Sequence, residues 1–404
     1  MLDVIDISPT TQSVAASTLT APPEWGLYVH WPFCATKCPY CDFNSHVRDE
    51  IDQTAWRDAL VREVESAAAR AGAPKLKSIF FGGGTPSLMP AQTVAAVIEA
   101  AQRYFQVLPD IEISLEANPS SVEAQTFGDL NAAGINRISL GIQSFDDAAL
   151  TFLGRPHSAH EAAQAIEAAQ KAVERVSFDL IYALPDQTLA DWRKQLNLAL
   201  AFGTDHISAY QLTIEPNTGF DSQVARGVFT PLDDDVAADL FDYTSERLGA
   251  AGLTAYETSN HARTQAQCQH NLVYWRGLPY AAVGPGAHGR WRDGKHRWTA
   301  TANIKKPERW LQQVMADAHG IEVDVALSAR DRAEEIVLTS LRLSEGLDVN
   351  AASALAGFFV SDLIDHDALS QLKRGGWLVV SNGIVRLTPK AQPVANHIVN
   401  QLFT

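Results

Sequence analysis

The stretch Gly26-Leu-Tyr28-Val-His30-Trp-Pro-Phe-Cys34-Ala-Thr-Lys-Cys38-Pro-Tyr40-Cys41 runs a short apolar strand into three cysteines spaced C-x3-C-x2-C. The fourth cysteine, Cys268, is far away. Four cysteines in 404 residues are too few for a disulfide framework, and three within eight residues have the spacing of a ligand set. Three thiolates on one loop can hold three irons of a [4Fe–4S] cluster and leave one iron open, because a fully protein-held cluster takes four cysteines. A structural zinc ion is the competing reading: it takes four protein ligands, and Cys268 or a histidine could complete that set.

Outward from this loop, short apolar runs alternate with amphipathic stretches. Trp56, Leu60, Val64 and Ala68 recur at i, i+4 spacing, so a helix is predicted over 54–71 with Gly72 as its stop. Lys77–Phe81 reads as the next strand and ends in Gly82-Gly83-Gly84; Pro90 then opens a helix through about Tyr104. Strands follow at Ile111–Glu116, Asn136–Ile142, Arg175–Tyr182 and Asp205–Ile214, separated by helices over 121–133, 146–152, 158–173 and 189–202. This alternation implies βαβ units and a parallel sheet. Six units are too few for a closed eight-stranded barrel and suit an open barrel arc or a doubly wound sheet. Asp233–Gly252 predicts another helix and Leu253–Ser259 a further strand. The stretch 260–300, rich in His, Trp, Tyr, Arg and Gly, predicts a structured loop region.

The character changes at Ser328. A capped helix is predicted over 328–345, then two short helical runs, then apolar runs at Trp377–Val380 and Ile384–Leu387 around the hairpin signal Ser381-Asn382-Gly383, then a last helix. Helices followed by a hairpin resemble a winged helix. With 7 basic and 8 acidic residues from Ser328 onward, a structural or docking role is favoured over DNA binding. The expected division is a loose lead-in over 1–22, an α/β core over 23–258, a connecting region over 259–327 and a helical and winged domain over 328–404. The formal charge of −15 works against nucleic acid, whose binding rests on Lys and Arg. No run of 18 apolar residues suggests a membrane span, and residues 1–36 lack the Lys or Arg of a secretory or mitochondrial leader. A cytoplasmic protein with no nucleic-acid or membrane partner is the expectation.

Polar residues gather at the strand ends: Glu116, Gln143, Asp179 and Gln211. Parallel α/β folds bind ligands there. Tyr28-Val-His30 through Cys41-Asp-Phe-Asn-Ser resembles the start of a radical S-adenosylmethionine (SAM) domain, with Tyr40 as the aromatic of C-x3-C-x-aromatic-C. Phe81-Gly82-Gly83-Gly84-Thr85-Pro86, Glu116-Ala-Asn-Pro119, Gly141-Ile-Gln143-Ser-Phe, Leu153-Gly-Arg155, Asp179-Leu-Ile-Tyr-Ala-Leu-Pro185 and Tyr210-Gln211-Leu-Thr-Ile-Glu215 continue it. From about residue 25 to 400 the chain is similar to the oxygen-independent coproporphyrinogen III oxidase family. The resemblance implies an α/β fold, a radical SAM (β/α)6 partial TIM barrel with a C-terminal helical, winged-helix-like domain. It implies a [4Fe–4S] cluster on Cys34, Cys38 and Cys41, SAM on the open iron, and an electron donor for the cluster. It places Gly83, Gly84 and Thr85 beside the methionine moiety, Tyr28 and Tyr40 beside cluster and adenine, and Glu116, Gln143, Arg155, Asp179 and Gln211 on the rest of SAM. Taken singly and from the residues alone, the glycine run reads as a tight strand–helix turn and Arg155 as a solvated surface group; their order and context carry the SAM reading.

Two groups divide this family. The oxidases resemble C-x3-C-x2-C-x-C, whereas this chain has Phe43 at the additional cysteine position. The HemW-type heme chaperones resemble it more closely, through His270-Asn271-Leu-Val-Tyr274-Trp275 and Gly284-Pro-Gly286-Ala-His288-Gly289. That resemblance implies heme held with the help of His270, Asn271, Tyr274 and Trp275 and passed to an acceptor protein. Imidazole is a common axial ligand for heme iron, the two aromatics offer flat faces, and Cys268 is a fallback thiolate. The alternative is a radical SAM enzyme of the oxidase type acting on a tetrapyrrole.

Overall fold

The computed structural model describes residues 22–295 and 297–403; the expected lead-in lies outside them apart from Pro22. Six strands stand side by side in chain order, each parallel to the next: β1 (Trp25–Trp31), β2 (Lys75–Gly83), β3 (Gln106–Ala117), β4 (Arg137–Gln143), β5 (Arg175–Tyr182) and β6 (His206–Gln211). The two-residue period of a strand separates their faces. Leu27, Ile79, Phe81, Leu115, Leu140, Phe178 and Ile207 sit in one core with the returning helices. The alternate positions carry Gly26, Ser78, Ser114, Arg137, Ser139, Ser177 and Ser208. Arg137 donates to Ser114 (3.3 Å) and Ser177 (2.6 Å), and Ser177 to Ser139 (3.0 Å), so these polar side chains share the inner face.

Helices α1 (Gln53–Ala71), α2 (Ala91–Tyr104), α3 (Ala159–Ala172), α4 (Leu189–Ala201) and α5 (Asp234–Ala250) supply the outer layer. The side chain of Asp52 caps α1, and Gly72 ends it in the left-handed conformation (φ 76°). The helix expected over 121–133 is split into Ser121–Ala124 and Phe127–Ala132. At the break the Thr126 hydroxyl donates to the Glu123 carbonyl (2.8 Å), a side-chain bond that competes with helix continuation.

The sheet extends past the six expected strands. β7 (Thr254–Ala255) and β8 (Asn260–Ala262) add an antiparallel edge beside β6. The strand expected over 253–259 is therefore two residues long, because the Glu257 carboxylate accepts from the Ser259 (2.8 Å) and Asn260 (2.5 Å) amides and bends the chain. The stretch read as a structured loop holds α6 (Gln269–Trp275), β9 (Tyr280–Val283), β10 (His288–Arg292) and β11 (Trp298–Asn303). β9 lies parallel to β1 on its free side, and β10, β11 and β12 (Ile321–Leu327) follow antiparallel, with α7 (Pro307–Asp317) crossing between β11 and β12. The result is a sheet of twelve strands among the described residues, with β12 at one end and β7 at the other, so the barrel is open.

The C-terminal part has its own core. α8 (Ala329–Ser340) begins at the Ser328–Asp331 capping box. The helices Val349–Ala356 and His366–Arg374 follow. Then β14 (Leu378–Ser381) and β15 (Ile384–Leu387) form the wing with β13 (Leu347–Asp348). Asn382 (φ 52°) and Gly383 (φ 76°) make the hairpin turn in the left-handed pair of conformations that Asn-Gly favours. This part docks through Arg332, which stacks 4.2 Å above the Trp298 ring of β11 and donates to the Gly277 carbonyl.

Candidate functional site

The cysteine loop leaves the carboxyl end of β1 and is clamped by backbone. Phe33–Cys34 pairs in parallel with His46–Val47. The Gly84 amide donates to the Trp31 carbonyl (2.7 Å), and the Thr85 amide donates to the Phe33 carbonyl (2.8 Å). A Cβ on Gly84 would lie 2.6 Å from the Phe33 carbonyl oxygen. The close approach that this glycine permits is thus to the residue before Cys34. On the other side of the loop, Gly154 (φ 65°) leaves room for Pro39, with a would-be Cβ 2.6 Å from its ring, and the Phe220 amide donates to the Pro39 carbonyl (2.9 Å).

Cys34, Cys38 and Cys41 line a cavity of about 410 Å³ together with Tyr40, Phe43, Gly83, Gly84, Thr85, Glu116, Asn118, Gln143, Arg155 and Asp179. Burial pushes the Cys34 and Cys41 thiols up; the Thr85 hydroxyl, 3.5 Å from the Cys34 sulfur, pulls the other way. Arg155 donates to the Cys38 sulfur (3.3 Å), to Asn118 (2.5 Å) and to the Gly141 carbonyl (3.0 Å), while its Nε is buried without a partner. Opposite stand two acids. Burial and the charge of Asp179 push Glu116 up to about 8, and burial pushes Asp179 up to about 6. The Gly83 amide donates to Glu116 (3.2 Å). Gln143 sits where the β4–β5 register shifts, at φ 67°, a conformation non-glycine residues rarely adopt. Gln211 is exposed at the end of β6 and lies outside this lining.

Among the described residues no three His, Cys, Asp or Glu side chains converge on one metal-ion position. A single tetrahedral ion with bonds of about 2.3 Å would draw its sulfurs to roughly 3.8 Å from one another. A cube of iron and sulfide puts each thiolate on a different iron, so three thiols on one loop need not converge on one point to hold it. Cys268 takes no part: it is buried, pushed up to about 12 by that burial, and donates to Glu112 (3.4 Å).

A second cavity of about 350 Å³ adjoins the first and shares Phe43, Gly83 and Glu116 with it. Tyr28, His30, Asn44, Tyr274, Tyr280, Gly286 and His288 complete its wall. Tyr28 therefore stands in this cavity, bonded to His30 Nδ1 (3.0 Å), rather than beside the thiols. His270 is buried, 1% exposed, and fills the barrel lumen. Its Nδ1 meets the Ser78 hydroxyl (2.9 Å), its Nε2 the Tyr274 hydroxyl (2.8 Å), and its ring stacks on Phe80. Neither ring nitrogen is free for iron, and burial lowers its pKa to about 3. Asn271 reaches the Tyr256 hydroxyl (3.4 Å), and Trp275 lies under the Arg342 guanidinium. Of the four motif residues only Tyr274 lines the cavity.

Residues 28–199 match the radical SAM superfamily and residues 327–394 the HemN C-terminal domain. Heme chaperone HemW of Mycobacterium tuberculosis is 39% identical over 371 residues, 90% of this chain and 94% of that protein. This chain belongs to the radical SAM superfamily, in the coproporphyrinogen III oxidase-like family and its HemW group. Escherichia coli HemW is 38% identical over 325 residues, covering 80% of this chain and 84% of that protein. The Bos taurus mitochondrial protein called radical S-adenosyl methionine domain-containing protein 1 is 41% identical over 325 residues, 80% of this chain and 74% of its own length. Among solved structures, coproporphyrinogen III oxidase (HemN) from Escherichia coli superposes with a TM-score of 0.78 at 22% identity, over 97% of this chain and 92% of that one, and shares the fold.

In this HemW-group chain sequence reading left out Asn118 and His30. Both follow from the strand period. His30 is two residues past Tyr28, and Asn118 two past Glu116, each on the ligand-facing side. Phe43, noted only for the cysteine it replaces, is 57% exposed and stands where the two cavities meet.

Proposed function

We propose that this protein is a heme chaperone. It holds a [4Fe–4S] cluster on Cys34, Cys38 and Cys41, binds SAM beside it, and carries heme in the adjoining cavity for delivery to an acceptor protein. The observation that carries the reading is the pair of cavities meeting at Phe43, Gly83 and Glu116, one walled by thiols and the other by aromatics. The similarity to relatives named heme chaperone HemW along nearly the whole chain supports it.

When bound, the cluster would supply one electron at a time and an open iron for SAM. The chain's own groups do the positioning. Arg155 and Thr85 donate to two of the sulfurs, and charge-assisted donation favours thiolate. SAM would be held by Gly83, Thr85, Glu116, Gln143, Arg155 and Asp179 under the cover of Tyr40. The unpartnered Arg155 Nε suits a carboxylate, and the two acids suit hydroxyl or ammonium donors. Phe43 sets an apolar ring where the oxidase pattern has a thiol, which favours holding a flat macrocycle over oxidising one. Among the described residues no helix is long and apolar enough to cross a membrane, and a cytoplasmic site of action, with a separate electron donor, belongs to the same proposal.

Anaerobic reconstitution followed by parallel assays tests this. The expected result is heme retention and transfer to an apo-hemoprotein with no loss of coproporphyrinogen III. SAM-dependent porphyrinogen turnover without heme retention would overturn it in favour of an oxidase.

A further inference from the structure

We infer that His288, and not His270, is the protein's axial ligand to heme iron, with the macrocycle seated against Tyr274, Tyr280 and Phe43. This rests on the heme-carrier reading and names the residue that makes it chemical. Iron needs an imidazole nitrogen with a free lone pair. Two histidines line the aromatic cavity. His30 is spent, with Nδ1 on the Tyr28 hydroxyl (3.0 Å) and Nε2 on the Asn44 carbonyl (3.0 Å). His288 opens β10 at the cavity rim, is exposed, and makes no side-chain hydrogen bond among the described residues. His270 is excluded by its two partners and its burial. Its place in the motif is explained by Tyr274, whose hydroxyl it fixes at the cavity wall.

Charge points the same way. Heme carries two carboxylates, and Arg290 and Lys305 are the cations whose fields reach His288. Arg290 is committed to Glu335 (3.0 Å). Lys305, whose carbonyl accepts from Asn44 (2.9 Å), makes no ion pair among the described residues and is free to meet a propionate. The absence of a second partner on His288 has a consequence. Iron-binding histidines ordinarily donate their other N–H to a carbonyl or carboxylate, which raises their basicity, and loss of such support weakens metal binding about 10- to 100-fold. An unsupported imidazole is a ligand that lets go, as a carrier requires.

The test is heme titrated into the full chain with its cluster reconstituted, followed by Soret difference spectra and, after reduction, the iron–imidazole stretching band in resonance Raman spectra. His288→Ala should weaken heme binding by about tenfold or more and abolish the imidazole-type signal, and added imidazole should restore that signal. His288→Gln, which keeps a polar side chain of similar reach, should lose the signal with an unchanged circular dichroism spectrum. In His270→Gln the ligand signal should persist. If the signal survives in both His288 variants, or is lost only in His270→Gln, the assignment is overturned while heme carriage stands. If the unaltered chain takes up no heme, the heme-carrier reading falls and this inference with it.

Discussion

Gly84→Ala asks whether protein packing or the metal sets the cysteine loop. The added Cβ would sit 2.6 Å from the Phe33 carbonyl oxygen, 2.9 Å from its carbon and 3.0 Å from its nitrogen. All three are backbone atoms and cannot swing away. Restoring an ordinary 3.4 Å contact from 2.6 Å requires Phe33 to retreat by roughly 0.8 Å. Two hydrogen bonds resist that retreat, from the Gly84 amide to Trp31 (2.7 Å) and from the Thr85 amide to Phe33 (2.8 Å). Overpacking of this kind costs about 1–3 kcal/mol. Cys34 is the next residue, so its sulfur moves with Phe33, well outside the roughly 0.2 Å tolerance of a metal–ligand distance. The expected result is a cluster-free chain that melts lower and, after anaerobic reconstitution, iron and acid-labile sulfide far short of a full cluster. Gly249→Ala is the control: nothing lies within 4 Å of its would-be Cβ near the end of α5, so this change should stabilise by up to about 1 kcal/mol and keep the cluster. Full iron content together with unaltered melting in Gly84→Ala would refute the clamp.

Arg155→Lys keeps the charge but removes the planar fork that meets the Cys38 sulfur, Asn118 and Gly141 at once; SAM affinity, read by isothermal titration on the reconstituted chain, should drop by about tenfold or more, an interaction loss of ~1.4 kcal/mol or greater. Glu116 and Asp179 both titrate higher in the folded chain than in the unfolded one. Their contribution to stability is therefore complete below about pH 4 and is lost as pH rises through about 6 for Asp179 and about 8 for Glu116. The empty protein should lose on the order of a few kcal/mol across that window, and Glu116→Gln should flatten the upper part of the curve; identical melting curves from pH 5 to 9 would contradict this. Glu63 accepts from the Gly284 and Gly320 amides (2.6 Å each), Asn303 (3.0 Å) and the Trp310 indole (3.1 Å). Glu63→Gln turns an amide N–H₂ toward donors, leaving at least one buried donor unmet, and should destabilise by about 1–3 kcal/mol in urea titrations.

The parallel core was legible because each of its strands obeys two rules at once. It is apolar at every second residue and is followed by a helix with a recognisable stop, as at Gly72. The cysteine loop was legible because thiols are scarce. Between Leu253 and Asn303 the strands are short and, among the described residues, no long amphipathic helix separates them. β7 has two residues, β9 four, and β10 with β11 alternate only between polar groups and a mix of Gly, Ala and a single Trp each, which is a faint apolar signal. Those strands exist because a neighbour already in place offers a ladder of donors and acceptors, β1 for β9 and β10 for β11. Tertiary pairing of that sort leaves little trace in a local sequence pattern. Glu63 was invisible for a related reason: its four partners are drawn from residues 284, 303, 310 and 320.

The same logic explains why a histidine in a suggestive motif is buried behind the cavity wall. A barrel lumen lined by Ser78, Ser114, Ser139 and Ser177 is too polar to be left to close on itself, and its hydroxyls need partners. α6 enters that lumen, and its His270 has a shape that meets this need. It carries two polar atoms at opposite ends of a flat ring, one for Ser78 and one for Tyr274, with Phe80 against its face. Once both nitrogens are bonded, the residue transmits position from the sheet to the cavity wall and has no lone pair left to bind iron. Under the assignment proposed above, contact with a flat ligand would fall to Tyr274 and ligation to His288, an imidazole that makes no side-chain hydrogen bond among the described residues. Spacing in a motif records which residues must keep their mutual geometry, and such residues stand behind the reacting surface as readily as on it.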